Sequence, residues 1–301
     1  MAESVCPTGD IELCYETFGD PADPALLLIM GLGTQMLGWH EEFCAELAGR
    51  GFFVVRYDNR DVGRSTILSS APVPSLGQIL RRDKRAASYT LAEMAADGVG
   101  LLDHLGIDRA HLVGVSMGGM IAQTIAARRP ERVLSLVSIM SSTGSRWRGQ
   151  PALRVFPKFL RPMPPDRQGY VDQAAELFAA IGSPGFDRDE PALRDLLGRM
   201  YDRGHSADSS GRQLAAIIAS GDRTAELRRI TAPTLVIHGT ADRLVAPSGG
   251  RATARAIPGA RLLKIEGMGH DLPRGAWPQI LDGIVETAAR AAAPAGVAAP
   301  A

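Results

Sequence analysis

Short apolar runs alternate with longer stretches of helical spacing along most of this chain. Runs at 26–30, 52–57, 111–115, 134–140, 234–238 and 261–265 are apolar and predict strands. Residues 36–50 carry apolar positions at helical spacing and stop before Gly51, which predicts one helix there. Thr90-Leu-Ala-Glu93 is a capping box that opens a helix running to about Leu105, and 117–129 is a small-residue helix that stops before Pro130. Alternating strands and helices of this kind predict a mostly parallel central sheet with helices on both faces. Residues 10–18 differ, because polar and apolar positions alternate there, the mark of an exposed antiparallel edge strand.

The strand rhythm stops between 145 and 227. Several prolines, among them Pro151, Pro157, Pro162, Pro164 and Pro165, and many arginines surround two amphipathic stretches, 170–181 and 192–201. Long structureless loops are uncommon in compact domains, so this region is expected to be an inserted helical cap. The expected organisation is a core of 1–144 and 228–290, a cap of 145–227, and an Ala- and Pro-rich disordered tail at 291–301 that begins as a frayed helix end.

Composition narrows the function. Lys plus Arg and Asp plus Glu each total 33, so no global field favours nucleic acid or an anionic membrane, and neither is expected as a partner. Cys6, Cys14 and Cys44 are odd in number and lack C-x-x-C spacing, as expected of reduced thiols. The first residues carry no basic and apolar leader pattern, and no run approaches the 18 or so apolar residues of a membrane span. A cytoplasmic, unanchored protein is the expectation.

The chemistry centres on Gly114-Val-Ser-Met-Gly118, where a strand runs into a serine flanked by glycines and then into a helix. With 33 glycines in 301 residues the pattern is weak by itself, and its strand-to-helix context carries it. Glycines at 114 and 118 leave room for a strained turn that exposes the Ser116 hydroxyl. A serine is a poor nucleophile without an imidazole, and the imidazole needs an acceptor to fix its tautomer. His270 follows the last strand in Gly267-Met-Gly-His-Asp, a loop able to reach the carboxyl edge of the sheet. His104, His111, His205 and His238 read as structural, and His40 as a helix-start residue. Asp242 follows the strand ending at His238; it reads either as the acid or as a turn-forming Asx residue. The order Ser116, Asp242, His270 favours the acid, and no carboxylate follows the preceding strand. Asp271 is taken as a loop residue. Backbone N–H groups of Leu32, in Met30-Gly-Leu-Gly33, and of Met117 are the candidates for holding an oxyanion. A phosphate cradle is disfavoured at Gly31-x-Gly33, which lacks the third glycine and the lysine.

On these residues the chain resembles the α/β-hydrolase family over nearly its whole length outside the cap and tail. The segments 19–31 and 56–65 are similar to a subgroup that includes the aclacinomycin methylesterases, although Met30 stands where many relatives have histidine. The resemblance implies the α/β-hydrolase fold and a serine hydrolase that cleaves a carboxylic ester of a small, largely apolar molecule, with no cofactor and no metal. Enol-lactone hydrolysis, carbon–carbon bond hydrolysis and cofactor-free perhydrolysis share the triad and stay open, as does a receptor-like protein that keeps the triad and binds its ligand under the cap. Asp58 and Arg60 are expected to hold a loop. Met163, Phe178, Phe186, Met200 and Tyr201 are expected to form cap core rather than to line a pocket.

Overall fold

The computed structural model describes residues 3–206 and 208–292. Eight strands form one sheet: β1 (Ser4–Thr8), β2 (Ile11–Phe18), β3 (Ala25–Ile29), β4 (Phe53–Tyr57), β5 (Ala110–Val115), β6 (Val133–Ile139), β7 (Thr234–Gly239) and β8 (Arg261–Ile265). Their spatial order is β1-β2-β4-β3-β5-β6-β7-β8. β1, β2 and β4 pair antiparallel in turn, and every pairing from β4 to β8 is parallel. Eleven α-helices accompany them among the described residues. α1 (Glu41–Gly49), α2 (Leu76–Arg81), α3 (Leu91–His104) and α4 (Met117–Arg128) come before β6. α5 (Phe156–Phe159), α6 (Arg167–Ile181), α7 (Glu190–Arg203), α8 (Ser209–Ser220) and α9 (Thr224–Leu227) lie between β6 and β7, and α10 (Ser248–Ala256) and α11 (Trp277–Ala292) complete the chain.

All five β3 residues are buried, because alternate side chains enter different cores. Leu27 and Ile29 join Leu112 and Val55 in the core closed by α3 and α4, which contribute Leu91, Met94, Ile121 and Ile125. Leu26 and Leu28 join Val113 and Val54 on the other face, closed by Phe43 and Leu47 of α1 and Trp277, Ile280 and Ile284 of α11. Two covered faces explain why these strands read as unbroken apolar runs. A third, smaller core of Tyr170, Ala174, Leu196, Leu197 and Met200 unites α6 and α7.

Two expectations need correction. The alternating segment 10–18 is β2, and it is not the edge: β1 lies outside it. β1 contains Pro7, which lacks a ladder donor and is tolerated on an outermost strand but hides the strand from a reader. The single helix at 36–50 is a 3-10 turn, Met36–Gly38, followed by α1, with Trp39 and His40 non-helical between them. Trp39 is fully buried and its carbonyl accepts from the guanidinium of Arg56, itself paired with Glu16, so that carbonyl serves a distant strand. Of the predicted tail, residues 291 and 292 end α11 and the rest lies outside the described residues. Among the described residues no helix is long and apolar enough to cross a membrane.

Candidate active site

The loops after β3, β5, β7 and β8 all leave the same edge of the sheet, because these strands are parallel. Chain order also reverses there, with β3 between β4 and β5, and such a crevice is where open α/β sheets hold ligands. Ser116 sits at the end of β5 with φ 54° and ψ −116°, a backbone conformation that costs an L-residue of order 1–3 kcal/mol. Its surroundings hold it there: its N–H donates to Ile139 O at 2.9 Å, and its carbonyl accepts from Ser141 Oγ at 2.7 Å. The flanking glycines leave the room that was expected of them. A Cβ at Gly118 would stand 2.1 Å from Ile29 O, and one at Gly114 would stand 2.2 Å from Gly118 O, so the pair permits α4 to pack against β3 and β5.

Three predicted residues from three loops meet. His270 Nε2 lies 3.0 Å from Ser116 Oγ, and His270 Nδ1 lies 2.8 Å from Asp242 Oδ2. Asp242 also serves as the turn-forming residue of its other reading, since Oδ1 accepts the N–H groups of Leu244 and Val245, each at 2.9 Å, as an Asx residue does. Burial pushes the Asp242 carboxyl up, but the charge of His270 and hydrogen bonds from His238 and His270 outweigh it and bring its pKa down to about 2. The carboxylate is therefore ionised at neutral pH, as an acceptor for an imidazole N–H must be.

His238 is a contact that sequence reasoning missed. Its Nε2 lies 2.8 Å from Val245 O and 3.4 Å from Asp242 Oδ2, bracing the turn that carries the acid. A histidine four residues before the candidate acid was the available signal. The His270 loop is braced from the other side, by the end of α6: His270 N–H donates to Ile181 O at 2.8 Å, and Gly269 N–H donates to Ser183 Oγ at 2.7 Å. Asp271 accepts from Ser183, so it is a loop residue as expected.

Gly31, the residue before Leu32, abuts Ser116, with a Cβ there falling 3.2 Å from Ser116 Cβ. Neither the Leu32 nor the Met117 N–H donates to a protein acceptor among the described residues. The loop is pinned by side chains. Gln213 of α8 accepts from Gly33 N–H at 2.7 Å and donates to Arg60 O, Asn59 donates to Met30 O at 2.9 Å, and Gln35 donates to Met200 O at 2.6 Å. Sequence reasoning missed Gln213, for which no local signal exists, and Asn59, which lies inside a segment already noticed. Asp58 accepts the Met36 and Arg64 N–H groups and pairs with Arg203, while Arg60 forms a bidentate pair with Asp97, two bonds of 2.6 Å; both hold loops.

The remaining histidines stand apart from this arrangement. His40 occupies the N-cap position of α1 but makes no side-chain cap bond; its ring packs 5.6 Å from Trp277, and burial lowers its pKa, so it is neutral. His111 bonds Ser135 Oγ at 2.8 Å, and His205 packs on Tyr170 and Tyr201. All three cysteines are buried, and burial pushes the thiols of Cys14 and Cys44 up to about 12, too high for nucleophiles at neutral pH.

Ser116 and His270 open into a cavity of about 1190 Å³. Met163, Phe178, Phe186 and Met200 line it, which corrects the assignment of these side chains to cap core alone, while Tyr201 does not. Met163 and Phe178 also pack against the α6–α7 core, so a helix side chain here serves both surfaces. The volume exceeds the roughly 300–1,000 Å³ of ordinary small-molecule pockets, more than a small substrate needs.

Known proteins share this fold. The model of the alpha/beta hydrolase fold family matches residues 24–273. Rhodomycin D methylesterase of Streptomyces peucetius is 33% identical over 91% of this chain and 93% of its own length. A 3-oxoadipate enol-lactonase of Acinetobacter baylyi is 28% identical over 85% of this chain and 86% of its own. Among solved structures, a hydrolase from Pseudomonas aeruginosa superposes with a TM-score of 0.70 at 27% identity, over 95% of this chain and 98% of that one. The chain belongs to the α/β-hydrolase family of enzymes.

Proposed function

We propose that this protein hydrolyses the carboxylic ester, most simply the methyl ester, of a bulky and largely apolar acid through an acyl-enzyme. The observation that carries the reading is the hydrogen-bonded series Ser116–His270–Asp242 at the floor of a large apolar cavity. Similarity to a methylesterase supports the ester, and the cavity volume supports a bulky acid in place of a small one. Residues 145–227 act as a cap over residues 1–144 and 228–290 and govern entry.

In the first step Ser116 Oγ attacks the ester carbonyl carbon while neutral His270 takes the hydroxyl proton on Nε2. The carbonyl oxygen becomes an anion held by the N–H groups of Leu32 and Met117, with Met117 at the N-terminus of α4 where backbone donors are unsatisfied. Asp242 accepts from Nδ1–H and stabilises the imidazolium. The tetrahedral species collapses, the ester C–O bond breaks, and His270 returns the proton to the leaving alkoxide, giving an alcohol. Water then attacks the acyl-enzyme by the same route, releasing the acid and restoring Ser116.

A fluorophosphonate probe is expected to label the intact protein and not Ser116→Ala, and the intact protein is expected to release methanol from methyl esters of polycyclic acids. No labelling and no turnover would leave a binding protein as the reading. Turnover of enol-lactones with methyl esters untouched would redirect the substrate class to lactones.

A further inference from the structure

α2 is a helix without a core. Its ends are fixed by local bonds: Ser75 and Gln78 form a reciprocal capping box, with Ser75 N–H donating to Gln78 Oε1 at 2.9 Å, and Arg82 closes the helix in the left-handed region at φ 54°. None of its six residues is buried. Leu76 and Leu80 are 58% and 57% exposed, and Val73 just before the helix is 46% exposed. Leu76, Ile79 and Leu80 follow the i, i+3, i+4 spacing of one helix face, and all three line the cavity that holds Ser116 and His270. α8 lies beside this segment: a Cβ on Gly211 would stand 3.5 Å from Val73 Cγ1 and 3.8 Å from Pro74 Cδ, ordinary contact, so the chain leading into α2 runs against the insertion.

A contiguous apolar surface of this kind calls for a cover. It opens into the cavity, and the balanced charge of the chain offers no cationic excess to hold it on an anionic bilayer. We propose that the Leu76–Ile79–Leu80 face of α2 is a second wall of the substrate site, facing the insertion, and that it binds the apolar body of the acid part of the ester. This rests on the ester-hydrolase reading above and deepens it: α2 selects bulky apolar acids, while small acids leave it uncovered.

Leu76→Ser/Leu80→Ser is the test, assayed with methyl 1-pyrenebutyrate and with p-nitrophenyl acetate. Both side chains are more than half exposed, so the fold should tolerate the change. Each leucine is expected to contribute about tenfold, so the ratio of kcat/KM for the pyrene ester to that for the acetate should fall about a hundredfold, mainly through KM. Leu153→Ser, 92% exposed and outside the cavity, should leave that ratio alone. In a Ser116→Ala background the same pair should weaken binding of 1-pyrenebutyrate, read by fluorescence anisotropy, by a similar factor. Equal losses on both esters, or unchanged binding of 1-pyrenebutyrate, would overturn the proposal. So would a dimer that the double variant dissociates, or vesicle binding that it abolishes, because the face would then be covered by a second copy or by lipid. If the intact protein binds 1-pyrenebutyrate through α2 yet hydrolyses neither ester, the ester-hydrolase reading fails and the subsite stands.

Discussion

The floor and the walls of the cavity are built on opposite terms. At the floor, Ser116, His270 and Asp242 are each held by hydrogen bonds in which backbone groups take part: Ser116 by the Ile139 carbonyl and the Ser141 hydroxyl, His270 by the Ile181 carbonyl, and Asp242 by the N–H groups of Leu244 and Val245. The walls carry many apolar side chains from α2, α6, α7 and α8, set among charged ones such as Asp195 and Arg199, and several of the apolar ones serve a helix core as well. Hydrogen-bonded backbone has few alternative positions, whereas apolar side chains exchange for others of similar volume at small cost. Under the proposed function, chemistry is thereby fixed while the shape of the accepted acid stays adjustable. Substitutions at the floor should abolish turnover or folding, and those at the walls should change which ester is preferred.

The largest contrast is expected from Asp242→Asn. An amide keeps the shape but favours the wrong tautomer of His270, so kcat with any ester should fall on the order of 10⁴-fold. Steady-state rates on a short and a bulky ester check this, and a loss confined to the bulky one would break the distinction between floor and wall. Gly118→Ala tests the floor as packing. Its methyl group would meet Ile29 O at 2.1 Å, backbone against backbone, so β3 and α4 must separate. A loss of about 4 kcal/mol in stability is expected, at the upper end for point changes. Urea unfolding measures it, and a loss under about 1 kcal/mol would show the elbow to be looser than its contacts indicate.

The same division sorts what was legible in the sequence. The strands of the parallel sheet could be read because burial on both faces leaves unbroken apolar runs such as Leu26 to Ile29, and the site residues because each lies in a short loop next to such a run. Features made by distant partners could not. The break at Trp39–His40 depends on Arg56, the pin on Gly33 depends on Gln213 some 180 residues away, and the brace on Asp242 comes from a histidine that ends a strand like any other. Lining and core were hardest to separate, since Met200 and Phe178 obey helical spacing whichever surface they serve. Periodicity records that a side chain is withdrawn from water, and a cavity withdraws it as a core does.

A smaller effect concerns pH. The Asp242 carboxyl has a folded pKa of about 2, against about 3.9 for an unfolded carboxylate. A depressed pKa stabilises the fold above the unfolded value and loses that contribution as pH falls from about 4 to about 2. Nearly two units at about 1.4 kcal/mol each give roughly 2 to 3 kcal/mol. The difference in unfolding free energy between the intact protein and Asp242→Asn should therefore shrink by about 1.8 kcal/mol between pH 6 and pH 2.5, some two thirds of the whole. A constant difference over that range would mean that His270 and His238 do not hold the carboxylate in its charged form.

The smallest effect belongs to the wall. Phe178 lies on α6, lines the cavity and packs on the α6–α7 core, so Phe178→Ala removes one apolar surface from substrate and another from the insertion. The lost contact with substrate should raise KM for a bulky ester about tenfold, the equivalent of about 1.4 kcal/mol, with kcat nearly unchanged. α6 also ends at Ile181, which accepts from His270, so the wall and the floor meet three residues further along the same helix. If kcat falls together with the rise in KM, the loss has travelled along α6 to the imidazole, and the wall holds the catalytic loop in place as well as shaping the site.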